Sequence, residues 1–376
     1  MALTRRSRFV VLTAGLAGVA LVVALAIGVQ PKGGGPRLDA PGGGSLPVTA
    51  AQSANGPVEV SPGHFVGVDQ KHDRSAALRD MQPLPLKAPP ARDEDSGDHA
   101  ASGHVNAPDT VVQTSLAAPA MPATSTSFNG IGFPGVNCNC APPDTNGEAG
   151  ATQYVQIVNE GFQVFDKATG ASVYGPAGIA TVWSTFGGVC QTSGMGDPVV
   201  LYDQVAGRWL ISQFAGSCVP TDECVAVSTS SDATGTWNRY AFHLGSNFFD
   251  YPHLGVWTDG YYMSMNVFNS SGTSFLGPQA FAFDRTAMLA GQAATFVTPG
   301  NLGSSAQPIL PADLDGSTLP PAGAAESFVA WPGDGTYRTY HYKPNFTTPA
   351  NSSWTTFGAP AAAGFTELCP TTRACV

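Results

Sequence analysis

An internal period of 53 residues constrains this chain more than any other feature. Pro143-Asp144 begins a stretch whose apolar run from Tyr154 to Asn159 leads to Phe162. Asp197-Pro198 begins a second, running through Trp209-Leu-Ile-Ser-Gln to Phe214, and Asp250-Tyr-Pro252 begins a third, running from Tyr261 to Phe268. The three aspartates are spaced by 53 residues and again by 53, and each precedes its phenylalanine by 17 or 18. A looser fourth copy runs from Ala312-Asp313 to Trp331, 63 residues after Asp250. A fixed period of this size marks one supersecondary unit repeated, each copy needing its neighbours to bury its apolar face.

Within each copy, runs of four to eight residues alternate with Gly, Asp, Asn and Thr turns, as where Phe162-Gln-Val-Phe-Asp166 enters Lys167-Ala-Thr-Gly170. Such runs predict antiparallel meanders, and no amphipathic helix stands out beyond the leader. About 50 residues holding four strands is the size of a propeller blade. The expectation is an all-β chain, a β-propeller of antiparallel four-stranded blades. About five blades are visible, the last interrupted near Val376.

Composition divides the chain into 1–30, 31–125 and 126–376. Residues Phe9 to Val29 form an uncharged apolar run behind Arg5, Arg6 and Arg8, which reads as a signal peptide or a membrane anchor and sends the protein out of the cytoplasm. The stretch 31–125 holds Phe65 as its one aromatic residue and is expected to be a disordered stalk, with His64, His72, His99 and His104 solvated. Residues 126–376 carry 34 of the 36 aromatics and all seven cysteines, with seven Lys+Arg against seventeen Asp+Glu. That acidity argues against nucleic acid as a partner. In an exported chain the cysteines read as disulfides, with Cys218–Cys224 and Cys369–Cys375 as local pairs and Cys190 joined to Cys138 or Cys140.

Ser230-Ser-Asp232-Ala-Thr-Gly-Thr236-Trp237 resembles the Asp-box of sialidases, a folding element rather than a catalytic one. Sialidase chemistry itself is disfavoured, because Arg208, Arg239, Arg285, Arg338 and Arg373 stand in unrelated contexts. Pro142-Pro-Asp-Thr-Asn-Gly147, Val164-Phe-Asp-Lys-Ala-Thr-Gly170 and Asp250-Tyr-Pro-His-Leu-Gly-Val256 resemble exported bacterial propeller proteins of unassigned function. More distantly, the chain is similar to five-bladed arabinanase-like glycoside hydrolases. That likeness implies Asp144 as base, Asp197 or Asp250 as second carboxylate and Glu326 as acid.

The repeat would bring Asp144, Asp197, Asp250 and Asp313 around one axial funnel. The alternative is that a repeated aspartate caps a blade-to-blade turn. Tyr251, Trp257 and their aromatic neighbours offer a surface for sugar rings, with His253 and Asp313 beside them as ligand-binding candidates. Asp144 with Asn146, and Asp313 with Asp315, space oxygens two apart beside a glycine, as calcium loops do, so calcium is the cofactor raised, against plain Asx turns. The leading expectation is a non-catalytic exported propeller binding a glycan or an extracellular protein, touching membrane only through its N-terminal segment. A glycoside hydrolase is the rival.

Overall fold

The computed structural model describes residues 48–85, 123–132, 143–316 and 318–363. Three short strands come first: β1 (Val58–Ser61), β2 (His64–Val68) and β3 (Lys71–Arg74). Blade 1 follows as β4 (Asn146–Ala149), β5 (Gln153–Val158), β6 (Gly161–Asp166) and β7 (Ser172–Gly178). A short helix, α1 (Gly188–Thr192), leads into blade 2, which is β8 (Gly194–Asp203), β9 (Arg208–Ala215), β10 (Asp222–Ser228) and β11 (Trp237–His243). Blade 3 is β12 (Phe248–Val256), β13 (Tyr261–Phe268), β14 (Phe275–Phe283) and, beyond α2 (Arg285–Ala290), β15 (Thr295–Thr298). Blade 4 is β16 (Leu310–Pro311), β17 (Glu326–Ala330), β18 (Arg338–Lys343) and β19 (Ser353–Gly358).

Each blade is an antiparallel meander, and the first strands β4, β8, β12 and β16 adjoin one another in turn. This is a β-propeller, with four blades among the described residues. Gly255 shows how closely the inner strands approach, since a Cβ there would sit 2.0 Å from the Ala312 carbonyl oxygen.

The apolar runs of the middle strands follow from burial on both faces. Trp209 and Ile211 of β9 point into the layer between blades 1 and 2, with Val155, Phe162, Trp183 and Trp237. Leu210 points the other way, into the layer of Phe242, Phe249, Phe281 and Phe283 between blades 2 and 3. Tyr262, Phe328 and Tyr342 fill the layer between blades 3 and 4. Trp237 closes the Asp-box turn as the sequence predicts. Asp232 Oδ1 accepts from the Thr234 N–H at 2.9 Å and the Trp237 indole donates to the Ala233 carbonyl at 3.0 Å.

The sequence reading of 31–125 as a stalk fails over 48–85. Strand β2 pairs with β15 and carries β1, giving blade 3 six strands, while β3 pairs with β11 and gives blade 2 a fifth. Further on, Leu78 enters the layer of blades 1 and 2, and Gly178 of β7 donates to the Leu84 carbonyl at 2.9 Å. At the other end His64 Nε2 lies 2.6 Å from the Ser352 carbonyl of blade 4. The segment is therefore a strap touching all four blades. Its low aromatic content misleads because it needs few apolar residues of its own: it hydrogen-bonds to open sheet edges and adds Val48, Val66 and Val68 to a small buried cluster with Val297. His72 stays exposed, with its Nδ1 2.7 Å from the Asp69 carboxylate.

The disulfide is also not the expected one. Cys224 bonds to Cys190, with Cα atoms 5.7 Å apart, so neither Cys218–Cys224 nor a link from Cys190 to Cys138 or Cys140 forms. The pleat of β10 turns Cys224 into the blade 1–2 layer, where Cys190 of α1 is also buried, while Cys218 lies exposed in the preceding loop. The leader, Cys138, Cys140, Cys369, Cys375, His99 and His104 lie outside the described residues.

Candidate functional site at the propeller axis

A cavity of about 830 Å³ opens where the inner strands converge, lined by residues of all four blades. Three of the four repeated aspartates, Asp144, Asp197 and Asp250, reach it, together with Tyr251 and His253. Three of the four non-glycine residues with left-handed φ among the described residues are here: Asp144 (φ 44°), Asp197 (φ 45°) and Tyr251 (φ 56°). A left-handed backbone is unfavourable for such residues, so its recurrence around one cavity marks positions held by their surroundings.

Register shows how blades 2 and 3 are built alike. Gly196 pairs with Phe214 and Val199 with Ser212, leaving Asp197-Pro198 as a bulge in β8. Asp250 pairs with Asn266 and His253 with Ser264, leaving Tyr251-Pro252 as the matching bulge in β12. The equivalent of Asp197 is thus Tyr251, and Asp250 stands one residue earlier. Gln307-Pro308 enters the cavity from blade 4. The X-Pro pairs at 197, 251 and 307, spaced by 54 and 56 residues, trace the ring better than the aspartates do. A bulge tilts its strand and re-aims the side chain, here toward the axis.

Asp313, Trp257 and Glu326, which the sequence groups with these residues, do not line the cavity. Asp313 Oδ1 accepts from the Val256 N–H at 2.8 Å, tying blade 4 to blade 3, and the Trp257 indole donates to the Ala324 carbonyl at 3.0 Å. Glu326 is fully buried, and that burial pushes its carboxyl up to about 8, against the pull of the Ala312 and Ser327 amides. A carboxyl sealed within the blade wall is not placed to protonate a leaving group in the cavity. Sequence alone cannot foresee this, because the pleat decides which way β17 points the side chain.

Three of the four residues read as calcium ligands, Asp313 among them, are engaged by the protein's own hydrogen bonds. Asn146 Oδ1 accepts from the Val200 N–H at 2.7 Å, and Asp144 Oδ2 accepts from the Asn159 amide. Among the described residues no three His, Cys, Asp or Glu side chains gather where a metal could sit.

No protein-family model matches the chain. No curated protein matches it significantly. Among solved structures it is similar to the exo-β-1,3-galactanase of Phanerochaete chrysosporium with galactose, at 6% identity over 58% of this chain and 62% of that one, TM-score 0.25. It is also similar to the endo-1,5-α-L-arabinanase of Thermotoga petrophila RKU-1, at 14% identity over 54% of this chain and 55% of that one, TM-score 0.24. The chain thus spans less than two thirds of the length of either. Likeness at this level decides no activity, and the fold stands on the sheets themselves.

The cavity mixes two kinds of surface. Asp144, Asn146, Asp197, Asp250, Asn266 and Gln307 bring polar oxygens, while Tyr251, Leu310, Val329, Trp331 and Tyr337, residues the sequence reading mostly missed, bring apolar and aromatic ones. Tyr251 packs edge-on against His253, with ring centroids 4.3 Å apart. Burial holds the His253 imidazole below its usual range and the Asp144 carboxyl above its own. Among the described residues no lysine or arginine lines the cavity.

Proposed function

We propose that this protein is an exported, non-catalytic receptor that binds a neutral glycan in its axial cavity. The observation that carries the reading is the presence of carboxylate and amide acceptors beside aromatic rings in one opening. A sugar ring presents hydroxyl donors at its edge and a C–H face above and below, which carboxylates and aromatic rings respectively complement. With three aspartates and, among the described residues, no lysine or arginine lining the cavity, uronic and sialic acids would meet repulsion and no Arg clamp. The Cys190–Cys224 disulfide fits an oxidising compartment and agrees with the leader-like N-terminus.

A glycan array of neutral and uronic oligosaccharides tests this. The wild-type protein should retain neutral ones, and Asp197→Ala and Trp331→Ala should each weaken binding at least tenfold, about 1.4 kcal/mol. Failure to retain any neutral glycan, or binding indifferent to both substitutions, would overturn the reading. The hydrolase reading keeps one support, the two left-handed aspartates. Release of new reducing ends, abolished in Asp144→Asn, would favour it.

A further inference from the structure

Behind the cavity wall, Asn159 joins the aspartates of two blades. It lies in the turn between β5 and β6 and is 2% exposed. Its Nδ2 donates to Asp144 Oδ2, and its Oδ1 accepts from the Asp197 N–H at 3.1 Å. Its own N–H donates to the Pro143 carbonyl at 2.9 Å, which anchors the turn beside Asp144. The amide has one workable orientation. A backbone N–H can only donate, so it takes the oxygen, and the NH₂ is left for the carboxylate. Blade 2 leaves room for this contact at Gly196 (φ 113°), where a Cβ would fall 2.5 Å from Asn159 Oδ1.

An amide is not present at this place in every blade. Blade 2 holds Phe214 there, across from the residue before Asp197, while blade 3 again holds an asparagine, Asn266. What the hydrogen bonds show of Asn159 is that one side chain of blade 1 reaches both the Asp144 carboxylate and the backbone of Asp197 in blade 2.

We propose that Asn159 is a positioning residue whose amide fixes the Asp144 carboxylate against the backbone of Asp197, so that the two aspartates meet a ligand as one preset pair. This deepens the glycan-binding reading and rests on it. A donor aimed at a carboxylate favours its ionised form and offsets the burial that raises Asp144. The titratable groups sharing the cavity with Asp144 are Asp197, Asp250 and His253, and Glu160 follows Asn159 in the turn. With the donor gone, Asp144 should keep its proton to higher pH and present a hydroxyl where the wild type presents an acceptor.

The experiment follows the carboxyl carbon of Asp144 by NMR in the full-length chain labelled at aspartate, with Asp144→Asn giving the assignment. In Asn159→Leu, close in size and without polar atoms, the Asp144 midpoint should move upward. A second variant, Asn159→Asp, sets two carboxyls together. Protonated, the new side chain can copy the amide, donating to Asp144 and accepting from Asp197, so the pair should titrate in two steps with the upper one above the wild-type midpoint. An unmoved midpoint in folded Asn159→Leu overturns the proposal, and if that variant does not fold, a single unshifted step in Asn159→Asp does so. This readout uses no glycan, so an empty array would count against the receptor reading while leaving the role of Asn159 decided separately.

Discussion

Replacing Asp73 by alanine tests whether the N-terminal strap is part of the folded unit. Arg239 of β11 is buried to 1% exposure, and its Nε and Nη2 donate to the two Asp73 oxygens at 2.8 and 2.7 Å. Its Nη1 is taken by the Val182 and Ser184 carbonyls at 2.9 and 2.8 Å, and the guanidinium lies over Phe186, 5.1 Å from the ring centroid. Removing Asp73 would leave that cation in the blade wall without its counter-charge, a change that costs about 3–5 kcal/mol for a fully buried pair. The Asp73 side chain keeps 33% of its surface exposed, so water can replace part of what is lost. A loss of about 2–3 kcal/mol follows. For a domain of this size it corresponds to a fall in the unfolding midpoint of roughly 4–12 °C. Thermal unfolding by circular dichroism reads this directly. A midpoint within about 1 °C of the wild type would refute the reasoning, because a segment tethered only as a linker would behave that way.

Two further outcomes follow from buried groups. The Cys190–Cys224 bond closes a loop of 34 residues in sequence, so replacing both by serine should lower stability by about 3–4 kcal/mol in the chain-entropy account, whereas Cys218→Ser should leave it unchanged. Peptide mapping without reductant checks the pairing, and a Cys218–Cys224 peptide would contradict it. Glu326 has its folded carboxyl raised to about 8 from 4.5, so the folded state holds a proton the unfolded chain releases. Stability should therefore be full below about pH 4.5 as far as this group is concerned and decline as pH rises toward 8. Glu326→Gln should remove that part of the decline and raise the unfolding midpoint at pH 8 but not at pH 5; parallel pH profiles for the two proteins would sink the assignment.

The cavity illustrates how far spacing carries and where it stops. Asp144, Asp197 and Asp250 do share one opening because equal spacing places equivalent residues at equivalent heights on successive inner strands. The equivalence slips by one in blade 3, where Tyr251 rather than Asp250 takes the left-handed position, because the bulge follows the X-Pro step. Glu326 and Asp313 carry the right functional groups in nearly the right interval, yet pleat and strand ending take both out of the cavity. Asn159 gave no signal in the sequence, since its importance lies in contacts made 15 and 38 residues away.

By itself the sequence determined the repeat, the antiparallel blades and the acidic axis, because these depend on local period, turn chemistry and composition, which a chain carries whatever its surroundings. The tertiary structure alone decided that residues 48–85 belong to the propeller, that Cys224 pairs with Cys190, and that one amide couples two aspartates. Each of those depends on which face a strand turns inward and on which edge is left open, and both are settled only when blade packs against blade.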